Sequence, residues 1–360
     1  MAYKTFSPDI TLSGQKINPL SDIMNLGIQT TGNVVFVKHP SDADYRTVKE
    51  ALGNENLFDS VQSAIDSPKV RSGKNDYVIV CPRDNSTAWV PAGGTVADIQ
   101  LNKHNVHLVS LGYGKSTEQP VTFQLSGTAG TIGSMGVLYI TGSNCEVAGF
   151  NFLGTAGTAS VGTLGQGNDG GMVTVGAGVT GLDLHDFKIE KQGIQYDAGT
   201  TGITGTPRGD INIGSAARDI TIRNGYIIGT GLKAGASAAV NLQFNNTNIR
   251  VQNVEVLSTK DAAASRFIWN SPGTANGALS LIVDRCKFYN VLGTACTGAV
   301  AGTMGVGMRA IINETSAVGC TNISAVGSTF VTPVFSAGTV SNIGVVNPYL
   351  ATLGTAVVAS

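Results

Sequence analysis

The sequence predicts an all-β protein in which one bent strand unit is stacked repeatedly into a single column of parallel coils. Three observations carry this prediction. One apolar frame recurs along the chain, the residue that opens the frame is nearly always Asn or Asp, and the composition is unusual. With 47 glycines, 13% charged and 6% aromatic residues in 360, the chain favours tight turns and small side chains over long helices.

The frame is clearest in "TNIRVQNVEV", residues 247 to 256, where Ile249, Val251, Val254 and Val256 are the apolar positions. Spacing of two on either side reads as strand. The wider step between Val251 and Val254 reads as a bend that restores the inward face. The same frame fits Cys145, Val147, Phe150 and Phe152; Leu182, Leu184, Phe187 and Ile189; Ile220, Ile222, Gly225 and Ile227; and Leu281, Val283, Cys286 and Phe288. Weaker copies fall at Val106, Leu108, Leu111 and Tyr113, at Ile323, Ala325, Ser328 and Phe330, and at Ile343 and Val345, giving about eight coils. Ahead of each copy stand Asn105, Asn144, Gly181, Asp219, Asn248, Ser280, Asn322 and Asn342. These residue types tolerate a left-handed corner, and stacked Asn side chains there would form a ladder.

A shorter strand precedes each copy: "VLYI" at 137, "MVTV" at 172, "INI" at 211, "VNLQF" at 240, "FIW" at 267 and "RAII" at 309. Gly-, Ala- and Thr-rich insertions such as "LGTAGTASVGTLGQGNDGG" separate the coils and are expected to project from one side.

This pattern, from about residue 57 to 350, resembles the single-stranded right-handed parallel β-helix of the pectin-lyase-like superfamily. The likeness extends to the opening segment, "LFDSVQSAIDSPKVRSGKNDYVIVCPRD", which implies a capping helix and then a first strand. Leu57, Phe58, Val61, Ala64 and Ile65 make the apolar face of that helix, with Asn56 as its N-cap. Such a helix plugs the column and covers its open edge. Residues 1–56 lie outside the repeat as a short arm or cap holding a strand, "NVVFVK", residues 57–350 are the β-helix, and 351–360 a C-terminal tail.

With 23 basic and 24 acidic residues, the chain is not expected to bind nucleic acid or an anionic membrane. The charges are unevenly placed: from Val291 to Ser360 only Arg309 and Glu314 carry one. Long uncharged flanks on a folded rod either meet other subunits or are kept wet by their Thr, Ser and Asn side chains. Five cysteines without a Cys-x-x-Cys pair predict neither a disulfide framework nor a zinc site. The start, "MAYKTFSPDITLSG", lacks the apolar core of a secretory signal, which points to synthesis in a cytoplasm.

The chemistry of glycan cleavage calls for paired carboxylates on adjacent coils. The outward row after the first apolar position carries His107, Glu146, Asp183, Thr221 and Arg250; a second row carries Asn151, Lys188, Tyr226, Glu255 and Lys287. Glu146 and Asp183 are therefore neighbours, read here as two tolerated surface acids. In "GLDLHDFKIEKQ" Asp186 takes the bend, and alternation divides Asp183, His185, Lys188 and Glu190 between faces. "LGYGKS" at 111 and "GTGLKAG" at 229 are turns, not phosphate or dinucleotide loops. Trp89 and Trp269 are packing residues. No catalytic, cofactor-binding or metal-ligating residue is expected, and no cofactor.

A charge-poor, Gly/Ala/Thr-rich β-helix with "NDYVIVCPRD" followed by "LNKHNVHLVS" is similar to the virion structural proteins of tailed bacteriophages. That resemblance implies a non-enzymatic capsid decoration or head-appendage protein, a homotrimer whose partners are itself and the major capsid protein or another virion protein. The alternative is a tailspike-type polysaccharide-binding protein or depolymerase.

Overall fold

In the computed structural model, the residues described are 10–12, 15–17, 32–84, 87–91, 97, 99–111, 121–124, 136–153, 172–190, 210–228, 238–243, 245–258, 266–270, 280–290, 300–302, 309–313, 316–318, 324–325 and 344–346. Strands β1 (Ile10–Leu12) and β2 (Gln15–Ile17) form an antiparallel hairpin. Every other strand pairing among the described residues is parallel. The fold is a right-handed parallel β-helix.

Before the repeat come β3 (Val34–Val37), α1 (Tyr45–Leu52), β4 (Leu57–Phe58), α2 (Val61–Asp66) and β5 (Asp76–Val80). The first coil is β6 (Ile99–Leu101), β7 (Val106–Ser110) and β8 (Val121–Gln124); the second is β9 (Leu138–Ile140), β10 (Cys145–Ala148) and β11 (Phe150–Leu153). Three coils follow in which the bent strand is continuous: β12 (Val173–Val175) with β13 (Thr180–Glu190), β14 (Ile211–Ile213) with β15 (Arg218–Ile228), and β16 (Ala238–Leu242) with β17 (Thr247–Ser258). The next two are β18 (Arg266–Asn270), β19 (Ser280–Asp284) and β20 (Lys287–Asn290), then β21 (Val300–Gly302), β22 (Arg309–Asn313) and β23 (Ser316–Val318). A last one holds β24 (Ser324–Ala325) and β25 (Gly344–Val346). The bent strands make a 15-stranded wall and the short strands an 8-stranded wall facing it.

The register makes the frame physical. Val147, Leu184, Ile222, Val251 and Val283 occupy equivalent positions on successive coils and are fully buried. Burying each such side chain contributes about 1.5–3 kcal/mol, so the column is held by rows of like residues one coil apart. Both corners are left-handed. The first has Asn105, Asn144, Gly181, Asp219 and Asn248, with φ between 53° and 72°. The bend has Gly149, Asp186, Asn224, Asn253 and Arg285, with φ between 50° and 81°. Ladder bonds run up each: Asn248 Nδ2 donates to Asp219 Oδ1 at 2.5 Å and Asn253 Nδ2 to Asn224 Oδ1 at 2.9 Å. Asn322 and Asn342 lie outside the described residues.

Arg285 is the misfit in the second ladder, a long side chain held at φ 50°, where a residue other than Gly, Asn or Asp is strained by about 1–2 kcal/mol. Its bond to Asp284 is surface-exposed and contributes little. Arg285→Asn is expected to stabilise the protein by about 1 kcal/mol, read as a higher midpoint in guanidinium unfolding; a lower midpoint would refute the strain argument.

Several expectations are corrected. The capping helix begins at Val61, with Ser60 rather than Asn56 as N-cap: Ser60 Oγ accepts from Ser63 N at 3.2 Å. Leu57 and Phe58 instead pair with Phe36 and Val37 as strand β4. Asn56 spends its backbone carbonyl on that junction, accepting from Phe36 N at 2.8 Å. Helix α2 does close the column, for Val61, Ala64 and Ile65 join the main core.

The 15-stranded wall also reaches into the segment left outside the repeat, since β3 pairs with β5 and β5 with β7. Helix α1 lies on the outer face there. Val48 and its neighbours cover Phe36, Tyr77, Ile79, Val109, Leu111 and Ala148 in a second apolar cluster. Leu111 therefore faces away from the column, and Val121 and Phe123 take the last two inward places of that coil, pairing with Phe150 and Phe152. An insertion at the bend had displaced the frame; Tyr113 lies outside the described residues. "RAII" likewise belongs to the 15-stranded wall, as β22 beside β19, while the Gly/Ala-rich β21 takes the short-strand place. Ala325 accordingly pairs with Ala301 in the 8-stranded wall.

Candidate functional site

Where α1 stops covering the 15-stranded wall, its outer face turns from apolar to titratable. The ladder brings Glu146 beside His107 on one side and beside Asp183 on the other, as the frame predicts. Lys188, Tyr226, Glu255 and Lys287 share the second row as expected. One expectation fails. Asp183, His185, Lys188 and Glu190 all lie between buried inward residues, on one outward face, because the bend at Asp186 shifts the alternation by one.

Glu146 does not stand alone. His107 Nδ1 lies 2.7 Å from Glu146 Oε2, and His185 Nε2 lies 2.9 Å from Glu146 Oε1. The other nitrogens are also engaged: His107 Nε2 lies 2.6 Å from Asn75 Oδ1, and His185 Nδ1 lies 2.6 Å from Asp186 Oδ2. The His107 ring stacks on Tyr77, centroids 4.2 Å apart and planes within 9°. Beside this row Arg223 forks onto Asp183, Nε and Nη2 donating at 3.0 and 2.8 Å, and Lys188 pairs with Glu190 at 2.7 Å. An unbroken relay, Asn75–His107–Glu146–His185–Asp186, thus runs from the residue before β5 across β7 and β10 to β13.

Valence fixes the charge state of its centre. An ionised carboxylate only accepts, so His185, held between Glu146 and Asp186, must donate from both nitrogens and is an imidazolium. Against the burial that lowers it, the hydrogen bonds to Asp186 and Glu146 push the His185 pKa up to about 9. Hydrogen bonds from His107 and His185 pull Glu146 down to about 2.

Two-carboxylate glycoside hydrolysis needs one carboxyl held protonated and one ionised. Here Glu146 is held ionised and Asp183 is forked by a guanidinium, so the proton available to chemistry sits on His185, whose side chain is 2% exposed. The arrangement can hold coils together, and it can offer an imidazolium as acid to a group that reaches it. Among the described residues no cluster has metal-ligand geometry. Cys81, Cys145 and Cys286 are free and buried. Trp89 is packing, as expected, its Nε1 donating to the Cys81 carbonyl at 3.1 Å. The Trp269 side chain, "GTGLKAG" and most of "LGYGKS" fall outside the described residues.

The tie sets a pH window for stability. A His pKa raised from 6.5 to about 9 contributes fully below pH 6.5 and is lost as pH rises through 9. A Glu pKa lowered from 4.5 to about 2 contributes above pH 4.5 and is lost as pH falls through 2. The coupled pair is worth on the order of 3 kcal/mol. Denaturant midpoints are expected to peak between these limits and to fall toward pH 9, with the alkaline fall removed in His185→Gln. An identical profile in that variant would show that the relay does not carry the effect.

Sequence reasoning missed Asn75, Tyr77 and Arg223. Arg223 shares its register with His185, so the frame held that signal. Asn75 and Tyr77 precede the first copy and carried none.

No protein-family model matches this chain, and no curated protein matches it in sequence. A solved structure similar to it is the Azotobacter vinelandii mannuronan C-5 epimerase AlgE6 A-module, at 13% identity and a TM-score of 0.32, covering 84% of this chain and 74% of that one. The expectation that the chain is non-enzymatic is corrected on this finding: the solved structure similar to it is that of an enzyme.

Proposed function

We propose that this chain is a structural subunit of a virion surface, a capsid decoration or head-appendage protein of a tailed bacteriophage, assembled as a homotrimer of side-by-side columns. The observation that carries this reading is the near absence of charge over residues 291–360, which hold only Arg309 and Glu314. Strands β21 to β25 of both walls fall within that stretch, so its described residues belong to the rod. A rod flank without charge is poorly suited to water and well suited to a copy of itself, and closed three-fold packing shields it on every subunit. Residues 1–56 or the last coils then attach the trimer to the major capsid protein or another virion protein.

Light scattering coupled to size exclusion tests the assembly: the expected mass is three times the 37.0 kDa chain. A monomer at micromolar concentration overturns the trimer, and particles whose averaged density holds no such column overturn the virion assignment.

A second reading, a tailspike-type protein that binds or cleaves polysaccharide, rests on the stacked Glu146 and Asp183 with the His185 imidazolium beside both as the acid in place of a protonated carboxyl. Its test is release of reducing ends from bacterial capsule or lipopolysaccharide, lost in Glu146→Gln.

A further inference from the structure

Away from the titratable row, a cleft of about 320 Å³ opens where the start of α2, strand β6 and the Trp89 segment meet. Its size falls in the range of small-ligand sites. The apolar part of the lining includes Trp89, Phe123, Val90 and Pro91. Val90, at 55%, is the large hydrophobic residue most exposed to solvent among the described residues. Three polar groups in the same lining keep unspent hydrogen-bonding capacity.

The first is His39. Its Nδ1 accepts from the Ser41 backbone N–H at 3.2 Å, and an N–H can only donate, so a neutral ring carries its proton on Nε2. Burial and the charge on Arg83 lower its pKa and keep it neutral. His39 Nε2–H has no partner among the described residues and is a donor. The second is Asp59, which accepts from the Tyr45 hydroxyl through Oδ1 and leaves Oδ2 as an acceptor. The third is Gln100, whose backbone is engaged by Gln62 while its carboxamide, donor and acceptor at once, has no partner among the described residues. The indole N–H of Trp89 is already bound to Cys81, so that ring offers surface only.

A donor, an acceptor and a carboxamide around an apolar wall call for a ligand with several groups that both donate and accept, plus a C–H face. Adjacent hydroxyls on a saturated ring meet that description. Among the described residues the lining holds a carboxylate and no Lys or Arg, which disfavours an anionic ring. From these groups we infer that the cleft beside Trp89 is a binding site for a neutral pyranose, Asp59 and Gln100 taking ring hydroxyls and Val90–Pro91 meeting its C–H face. The site depends on neither the trimer nor the virion assignment, and it is separate from Glu146.

Saturation-transfer NMR on the full chain tests this, with the methyl glycosides of glucose, galactose, mannose and N-acetylglucosamine as probes and glucuronate as the acidic comparison. Saturable millimolar binding of at least one neutral glycoside is expected, weakened at least tenfold in Asp59→Asn and in Val90→Asp. Arg250→Asp, exposed on the outer row and outside the cleft lining, is expected to bind as the parent does. Two variants guard against misfolding, and each is scored only if its melting matches the parent. No saturable transfer from any neutral probe, equal binding of glucuronate, or unchanged affinity in both cleft variants would overturn the site.

Discussion

Val251→Asp is expected to abolish the folded column at 25 °C. Val251 is fully buried, and the register sets it between Ile222 on one coil and Val283 on the next. The residues above and below it are aliphatic and offer no hydrogen bond. An ionised carboxyl would lose its hydration without a partner, and a protonated one would still bury two unpaired oxygens; either state costs about 4 kcal/mol or more. Val251→Ala, which only leaves a void, is expected to cost about 1–3 kcal/mol. Arg250→Asp, one residue away on the exposed outer row, is expected to shift stability by less than about 1 kcal/mol. Circular dichroism melts of the three variants separate the cases. Equal melting of Val251→Asp and the parent would put the inward register one residue off.

Gly225→Val is the second large effect. Gly225 occupies an inward place that Phe187 and Val254 fill on the adjoining coils, so by the frame alone it reads as a gap. The gap is already filled: a Cβ on Gly225 would stand 2.1 Å from Phe187 Cζ and 2.5–2.6 Å from its two Cε atoms. The Phe187 ring leans over the next coil and takes the volume. Overpacking there is expected to cost about 3 kcal/mol, and Phe187→Val, which empties the space, about 1–3 kcal/mol. Together the two changes restore the volume, so the double variant is expected to lose at least about 1 kcal/mol less than the sum of the single losses. Strict additivity in unfolding midpoints would show that the ring does not occupy the glycine's place.

The contrast between these residues shows how far the sequence reaches. Val251 is legible because a period of two is a property of one strand, and the Asn or Asp before each copy because a left-handed corner is a property of one residue. Gly225 is not legible: its reason is a ring 38 positions earlier. The same holds at the titratable row. The frame places His107, Glu146 and Asp183 side by side, but Glu146 reaches diagonally to His185 rather than to its direct neighbours alone, and side-chain reach across coils has no local signal. Helix α1 was missed for a related reason. Its stretch, "YRTVKEAL", is mostly polar and is helical against an outer cluster that exists only once β3, β5 and β7 are paired. The shifts at Leu111 and "RAII" arose where insertions broke the spacing.

By itself the sequence determined the stacked column, its inward rows, its polar corners and a rod end almost free of charge, because each follows from the order of residues within a single coil. Only the tertiary structure decided that two histidines from the coils on either side clamp Glu146, that Arg223 forks onto Asp183, and that a polar cleft opens beside Trp89. The two histidines each stand 39 positions from Glu146 and Arg223 stands 40 from Asp183, across loops of unequal length, and which side chains meet is settled by coil stacking, not by any spacing along the chain.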